Sequence, residues 1–246
     1  MNKIHLVLVG PLRPNIDYVL HLVNEFKKDI PNIITHISYW KTTSDDKKLL
    51  QDNIDFIYEN EEPSLEFCVK LIYRVFKQIA NEDYALYRMI NVYKSFVNMH
   101  YFLNKSINNI SDNDIVIRIR TDVIYQIINN TSFNTFINNF AKIPSTKMYC
   151  MVKRTDVWRG PCDWFAISSY KNIKDVWNFP DIMTTNKTYN NIISSLYNAE
   201  QIIEKKMNDN NIKCVCLNDI MRLALCRNYD SNTGKISQCG LGNTIN

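Results

Sequence analysis

The sequence lacks long hydrophobic runs. None of its 246 residues belongs to an apolar stretch of the roughly 18 residues that a membrane helix needs. The N-terminal run Ile4–Val9 is too short for a signal peptide, and no cleavage-site pattern follows it. We therefore expect a soluble, cytoplasmic protein without a transmembrane segment.

An excess of one charge sign is also missing. The chain carries 29 Lys and Arg residues against 25 Asp and Glu residues, which gives a net charge of +4. A balance this mild, with basic residues dispersed among acidic ones, argues against nucleic acid as the partner. The seven cysteines include no Cys-x-x-Cys pair, which indicates reduced thiols and disfavours a zinc site.

Glycine is scarce, and the common glycine-based motifs are absent. The five glycines form neither a Gly-x-Gly-x-x-Gly fingerprint nor a Walker loop, which excludes the usual dinucleotide and P-loop sites. The four histidines are scattered, without a His-Glu-x-x-His pair, and no Gly-x-Ser-x-Gly elbow occurs. Zinc proteases and serine hydrolases of the known motif types are therefore excluded.

Short apolar runs that alternate with helical patterns are what the sequence does contain. The run Ile4–Val9 ends at Gly10 and precedes a helical spacing over residues 15–30. This alternation predicts a single α/β domain, Rossmann-like, with a mostly parallel central sheet flanked by helices. We expect the domain to span residues 1–227 and a loose polar tail to span 228–246. Further strands are predicted at 33–40, 55–58, 115–122, 147–153, 164–168 and 212–217, and further helices at 65–80, 84–103, 133–140, 171–177, 199–208 and 219–226.

The most unusual segment is the strand pattern over residues 115–122. Its period of two places Arg118, Arg120 and Asp122 on one face. Arginines between apolar residues need either carboxylate partners or a bound anion. Asp122 stands where the apolar run ends, and ligands of open α/β sheets bind at that end of a parallel strand. An internal salt-bridge network that only organises the core is the alternative.

Two other segments carry residues suited to a polar pocket. After the first strand, Gly10 permits a close backbone approach by a ligand and Arg13 suits a phosphate contact, although Gly10 and Pro11 also form an ordinary turn pattern. In residues 153–168, Trp158 and Trp164 offer faces for stacking, and Asp163 can accept hydrogen bonds from hydroxyl groups. Both tryptophans are equally compatible with a core position.

Glu200 begins a predicted helix, and its position allows two interpretations. A carboxylate there can serve as a general base. It also simply favours the helix dipole, because negative charge is stabilising at a helix N-terminus.

These segments together resemble GT-A-fold glycosyltransferases. The resemblance rests on residues 10–13, on the strand that ends at Trp40, on the Arg-x-Arg-Thr-Asp element at 118–122, and on residues 163–168. It extends in order over most of the chain, to the helix that contains Glu200. Within that fold, the chain resembles WavE-like families of surface polysaccharide and lipopolysaccharide synthesis, some with members in large DNA viruses.

The resemblance implies a transferase with a nucleotide-sugar donor, such as a UDP-sugar, and a glycan or other hydroxyl acceptor. Asp122 stands where such enzymes carry a metal-binding Asp-x-Asp, but Arg120 occupies the first acidic position. Either Asp122 binds Mn²⁺ or Mg²⁺, or Arg118 and Arg120 replace the charge of the metal. The implied catalytic residues are Asp122, Asp163 and Glu200, and the implied donor-binding residues are Gly10, Arg13, Trp40, Arg88, Arg118 and Arg120.

Two function classes remain open from the sequence. The first is the glycosyltransferase, placed in the host cytoplasm if the source is viral. The second is a catalytically inactive module of the same fold that binds glycans or nucleotides, because a fold alone does not fix an activity.

Overall fold

The computed structural model describes residues 2–68, 83–128, 135–138, 146–154, 159–179 and 199–239. Its strands are β1 (Ile4–Val9), β2 (Ile34–Trp40), β3 (Phe56–Asn60), β4 (Ile115–Arg120), β5 (Val123–Ile127), β6 (Lys147–Arg154), β7 (Arg159–Ser169), β8 (Lys213–Cys216), β9 (Met221–Asp230) and β10 (Lys235–Cys239). Its helices are α1 (Ile16–Asp29), α2 (Ser44–Asn53), α3 (Asp83–Ser106), α4 (Tyr170–Trp177) and α5 (Ala199–Asp209).

The central sheet is mixed but mostly parallel. Its strand order is β3-β2-β1-β4-β7-β6-β8. The pairs β3–β2, β2–β1, β1–β4 and β6–β8 are parallel, whereas β7 runs antiparallel to both β4 and β6. Helices pack on both faces, so the predicted α/β fold class is confirmed.

The alternation within β4 divides the core into two apolar layers. Ile115, Ile117 and Ile119 belong to the layer that α1, α2 and the second sheet cover. Val116 belongs to the opposite layer, where α3, α4 and α5 pack. Arg118 shares this second face, so the polar side of β4 lies beneath apolar helices. This arrangement matches the period of two that the sequence indicates.

A second, antiparallel sheet follows the order β10-β9-β5. Only Thr121 and Asp122 separate β4 from β5, so the chain passes directly from the central sheet into this one. The sheet packs on α1, where the Tyr18 hydroxyl donates to the Val123 carbonyl at 2.8 Å and Phe26 contacts Tyr125.

Two predictions of the C-terminal region are wrong. The pattern predicts a helix over residues 219–226, but β9 occupies Met221–Asp230. It also predicts a loose tail from 228, yet residues 228–239 complete β9 and form β10. The cause is the same in both cases, because pairing with β5 gives β9 an antiparallel partner that the local pattern does not reveal.

Helix α2 is not predicted by the pattern, since its sequence is polar and buries only Leu50. The predicted helix 65–80 is helical over 65–68, and the predicted helix 133–140 is helical over 135–138; the rest of both lies outside the described residues. No helix in the described portion is both long and apolar enough to span a membrane.

Candidate functional site

The chain reverses its winding direction between β1 and β4. From β1 it proceeds through β2 to β3 on one side, and it then returns to place β4 on the other side of β1. In the parallel register Val9 lies opposite Arg120, so both strands end at the same level. The carboxyl ends of two such strands form the crevice in which open α/β sheets bind ligands. Gly10, Thr121 and Asp122 directly follow these ends.

Gly10 is required for close packing between the two strand ends. Its φ is +141°, and a Cβ added to it would lie 2.8 Å from the Thr121 Oγ1 atom. The Gly10 N–H donates to the Ser38 carbonyl at 3.1 Å, and the Thr121 hydroxyl donates to the Pro11 carbonyl. The group that approaches Gly10 in this structure is therefore Thr121, where the sequence suggested a ligand.

Arg120 lies between two carboxylates at the end of β4. Its Nε donates to Asp122 Oδ1 at 3.0 Å and its Nη2 donates to Asp122 Oδ2 at 2.8 Å, which makes a bidentate pair. Its Nη1 lies 3.8 Å from Asp163 Oδ2. Burial alone would lower the pKa of Arg120, but Asp122 and Asp163 outweigh it and raise the pKa above its usual value. The guanidinium therefore stays charged.

The two carboxylates are positioned by neighbouring strands. The Asp122 carbonyl accepts the Cys226 N–H at 2.8 Å, so β9 holds the turn after β4 in place. Asp163 lies in β7, the antiparallel neighbour of β4 in the central sheet. The side chains of Asp122 and Asp163 are each 8% exposed, whereas that of Arg120 is 25% exposed. Arg120 is thus the most accessible charged group of the three.

Arg118 is placed differently from Arg120. It is 1% exposed, its Nη1 donates to the Asp163 backbone carbonyl, and its guanidinium lies 4.8 Å from the centre of the Trp177 ring. Burial lowers its pKa to about 10, against the opposing effect of Asp163. Its Nε has no hydrogen-bond partner among the described residues. Arg118 thus lies behind Asp163 and supports it from the core side.

Trp164 and Glu200 complete the surroundings of this cluster. The half-buried Trp164 ring lies with its centre 6.0 Å from the Arg120 guanidinium. Glu200 is buried in the first turn of α5, a helix that packs against β7. The pKa of the Cys162 thiol, in β7, is raised by burial, by Asp163 and, to a smaller extent, by Glu200. Glu200 is therefore close enough to β7 to act on it electrostatically.

The remaining predicted site residues lie outside this cluster. Arg13 is exposed in the loop after β1, and its backbone N–H donates to the Pro11 carbonyl at 2.8 Å. Trp40 is 8% exposed and packs in the apolar layer under α3. The Arg88 side chain and the whole of Trp158 lie outside the described residues.

Asp122 does not fit a divalent cation in this arrangement. Both of its carboxylate oxygens accept hydrogen bonds from Arg120. A divalent cation bound to these oxygens would lie beside the Arg120 guanidinium, whose positive charge opposes it. Among the described residues, no three His, Cys, Asp or Glu side chains converge to hold a metal ion.

Two residues of this site were not predicted from the sequence. Trp177 provides the ring beside Arg118, and Thr121 fills the space next to Gly10. The requirement that a buried arginine find a partner was readable from the sequence. Which residue supplies that partner depends on how α4 packs, and the local pattern around Trp177 does not encode it.

Comparison with known proteins gives structural likeness only. No protein-family model matches the chain, and no curated protein does. A protein described as a nucleotide-diphospho-sugar transferase from Desulfovibrio desulfuricans G20 aligns with 88% of this chain and 80% of its own, at 11% identity and a TM-score of 0.43. The galactosyltransferase LgtC, solved with donor and acceptor sugar analogs, aligns with 87% of this chain and 73% of its own, at 10% identity and a TM-score of 0.46.

A third solved structure, of 4-diphosphocytidyl-2C-methyl-D-erythritol synthase, aligns with 88% of this chain and 89% of its own, at 4% identity and a TM-score of 0.43. Identities this low and TM-scores below 0.5 do not carry an activity over to this chain. Its function rests on its own residues.

Proposed function

We propose that the chain is a glycosyltransferase that moves a sugar from a nucleoside diphosphate sugar to a hydroxyl group of a glycan or another acceptor. The observation that carries this proposal is the cluster of Arg120, Asp122 and Asp163 at the crevice between β1 and β4. A partly exposed cation beside two acidic hydrogen-bond acceptors suits a ligand that has both an anionic and a polyhydroxylated part.

The reaction places a specific demand on such a site. The bond between the anomeric carbon and the diphosphate oxygen breaks, and its electron pair remains on the diphosphate. The acceptor oxygen forms the new bond to the anomeric carbon, and its proton passes to a base. Because negative charge grows on the diphosphate as the bond breaks, a fixed cation at that oxygen stabilises the transition state.

The residues divide between the two ends of the donor. Arg120 faces the diphosphate, with Asp122 holding its guanidinium in a fixed orientation. Asp163, 3.8 Å from Arg120, is the acceptor for sugar hydroxyls or for the acceptor proton, with Glu200 as the second candidate base. Trp164 offers a ring face for stacking against the sugar or base.

The biological role follows from the motif resemblance rather than from the site. The Arg-x-Arg-Thr-Asp element at residues 118–122 supports membership of a WavE-like family and a role in surface glycan synthesis. A UDP-sugar donor and a cytoplasmic location, in the host cell for a viral source, belong to the same proposal.

Replacing Asp163 with asparagine tests the proposal. Asp163→Asn keeps the shape of the side chain and removes its charge, so it should lower transfer from the correct nucleotide sugar by about a hundredfold or more. The measurement is release of nucleoside diphosphate in the presence of acceptor. The matched control is Asp52→Asn, on the exposed surface of α2, which should retain full turnover. Equal turnover in wild type and Asp163→Asn would contradict the assignment.

One observation favours the inactive binding module as a second candidate. The bidentate pair satisfies both oxygens of Asp122 without any ligand, as an internal salt bridge that organises the core would do. That candidate predicts glycan binding without affinity for any nucleoside diphosphate. Glycan-array binding together with calorimetry against UDP, GDP and CDP distinguishes the two.

A further inference from the structure

The geometry around Asp122 bears on which cation neutralises the donor diphosphate. This side chain stands where a metal ligand is expected, yet its Oδ1 and Oδ2 both accept from the same guanidinium, at 3.0 and 2.8 Å. A metal ion that chelated the same edge of the carboxylate would have to displace Arg120. The raised pKa of Arg120 means that deprotonation does not release it from the carboxylate.

The charge of the cluster is balanced without a metal ion. Arg118 and Arg120 carry two positive charges, and Asp122 and Asp163 carry two negative ones. Arg118 is 1% exposed and donates to the Asp163 backbone, so its charge acts on the crevice through a low-dielectric interior. A divalent cation would add its charge beside two guanidinium groups that are already fixed in place.

Arg120 retains donors for an anion. Its Nε and Nη2 bond to Asp122, while Nη1 lies 3.8 Å from Asp163, beyond hydrogen-bond distance. In the part of the chain that the structure describes, Nη1 donates a hydrogen bond to no acceptor. One quarter of the side chain is exposed, and a planar guanidinium is well suited to phosphate oxygens.

We infer that Arg120 itself binds the donor diphosphate, without a divalent cation, and that Asp122 is a positioning residue for Arg120 and not a metal ligand. This inference rests on the proposed function. It assigns to one side chain of β4 the electrostatic task that a metal ion would otherwise perform, which is to stabilise the oxygen that receives the electron pair of the broken bond.

Calorimetric titration with UDP, GDP and CDP tests the inference, each in EDTA and again in Mn²⁺. We expect the nucleotide that binds to do so with the same affinity in both solutions. Binding that requires Mn²⁺ overturns the inference and leaves the proposed function standing. Absence of binding in both solutions overturns the proposed function and the inference with it. Electron paramagnetic resonance of Mn²⁺ gives a second readout, because a protein-bound Mn²⁺ signal in the nucleotide complex overturns the inference directly.

Variants separate the charge of Arg120 from its structural role. Arg120→Gln should weaken nucleotide binding in EDTA by about tenfold or more, and Arg120→Lys, which keeps the charge, should recover part of that loss. Arg222→Gln, at an exposed position of β9, is the matched control and should bind as the wild type does. If Arg120→Gln binds nucleotide normally while its melting temperature shows it to be folded, the inference fails.

The role of Asp122 has its own readout. If it positions Arg120, Asp122→Asn weakens binding in EDTA, and Mn²⁺ neither restores the variant nor improves the wild type. If it were a metal ligand, the wild type would bind more tightly in Mn²⁺ and Asp122→Asn would lose that gain, an outcome that contradicts the inference.

Discussion

Arg118 and Arg120 show how two identical side chains on one strand face acquire different tasks. Arg118 lies deep under α4 and contacts the Trp177 ring and the Asp163 backbone. Arg120 is two residues closer to the strand end, where one quarter of its side chain is exposed and two carboxylates lie beside it. Depth along the strand, and not residue type, therefore decides which arginine supports the site and which can meet a ligand.

Replacing Gly10 tests the tight packing at the strand ends. Gly10→Ala combines an unfavourable φ of +141° with a Cβ only 2.8 Å from Thr121 Oγ1, so it should lower the free energy of unfolding by about 1–3 kcal/mol. Gly234→Ala is the control, because Gly234 also has a positive φ, +66°, but open space around its Cβ. In urea unfolding, Gly10→Ala should lose more free energy of unfolding than Gly234→Ala. Equal losses in the two variants would contradict the packing argument.

A buried row of polar side chains crosses β1, β2 and β3. His5 Nδ1 lies 2.8 Å from His36 Nε2, and His36 Nδ1 lies 3.2 Å from the Tyr58 hydroxyl. Asn109 donates to that hydroxyl at 3.1 Å, and His5 Nε2 lies 3.4 Å from Asp114 Oδ2. With both imidazoles neutral, the Tyr58 hydroxyl donates to His36 and His36 donates to His5. His5 Nε2 is buried without a hydrogen-bond partner among the described residues. Burial, and then His5, lower the pKa of His36 to about 3.

This row predicts a loss of stability in mild acid. Because the pKa of His36 is lower in the folded than in the unfolded chain, the unfolded chain takes up the proton first, below pH about 6.5. The free energy of unfolding should then fall by up to about 1.4 kcal/mol per pH unit for this histidine, and further for His5, whose pKa burial also lowers.

Urea unfolding between pH 7.5 and 5, values near the ordinary histidine pKa of about 6.5, measures this slope. His36→Phe should reduce the slope whatever it does to stability at neutral pH. His21→Gln, at a partly exposed position of α1, should leave it unchanged. A slope that His36→Phe does not alter would contradict the neutral, buried arrangement.

At the scale of elements, the N-terminus of α1 joins the two sheets. The Asn15 side chain accepts the Tyr18 N–H at 3.0 Å as the helix cap, and its Nδ2 donates to the Tyr229 carbonyl of β9 at 3.0 Å. Asn15→Ala removes both bonds and should cost about 1–2 kcal/mol of stability. Thr43→Ala, which removes the longer 3.3 Å cap of α2, should cost less. The reverse order in urea unfolding would contradict the joining role of Asn15.

A helix or strand could be predicted from the sequence only where a local residue pattern determined it. The strand Ile4–Val9 and the period of two in β4 were readable because a continuous apolar run or a strict alternation fits few structures besides a buried strand. The pattern over residues 219–226 predicted a helix, whereas antiparallel pairing with β5 makes β9 a strand. Helix α2 has a mostly polar sequence, so its local signals were the cap at Thr43 and the acidic residues Asp45 and Asp46 in its first turn.

The same distinction holds for the site. Asp122 and Arg120 could be placed together because they share one strand face, two residues apart. The position of Asp163 beside them depends on the register of β7 against β4. The sequence of residues 159–169 does not predict that register. The burial of Trp40 is likewise a consequence of α3 packing over β2.

At the scale of the whole molecule, the strand order brings the end of β1, the end of β4 and Asp163 of β7 to one crevice. Helices pack on both faces of this sheet, and the Cys226 N–H of the second sheet donates to the Asp122 carbonyl in the turn after β4. This crevice is where we expect the diphosphate of a nucleotide sugar to bind.

The melting temperature of the purified chain with UDP, GDP, CDP and their sugars is the sharpest test of that expectation. Ligand at about 100 times its Kd stabilises the folded state by about 2.7 kcal/mol, which corresponds to a rise of about 5–10 °C for a chain of this size. We predict such a rise with one nucleotide and its loss in Arg120→Gln. No rise with any of these nucleotides, at about millimolar concentration, would contradict diphosphate binding at this crevice.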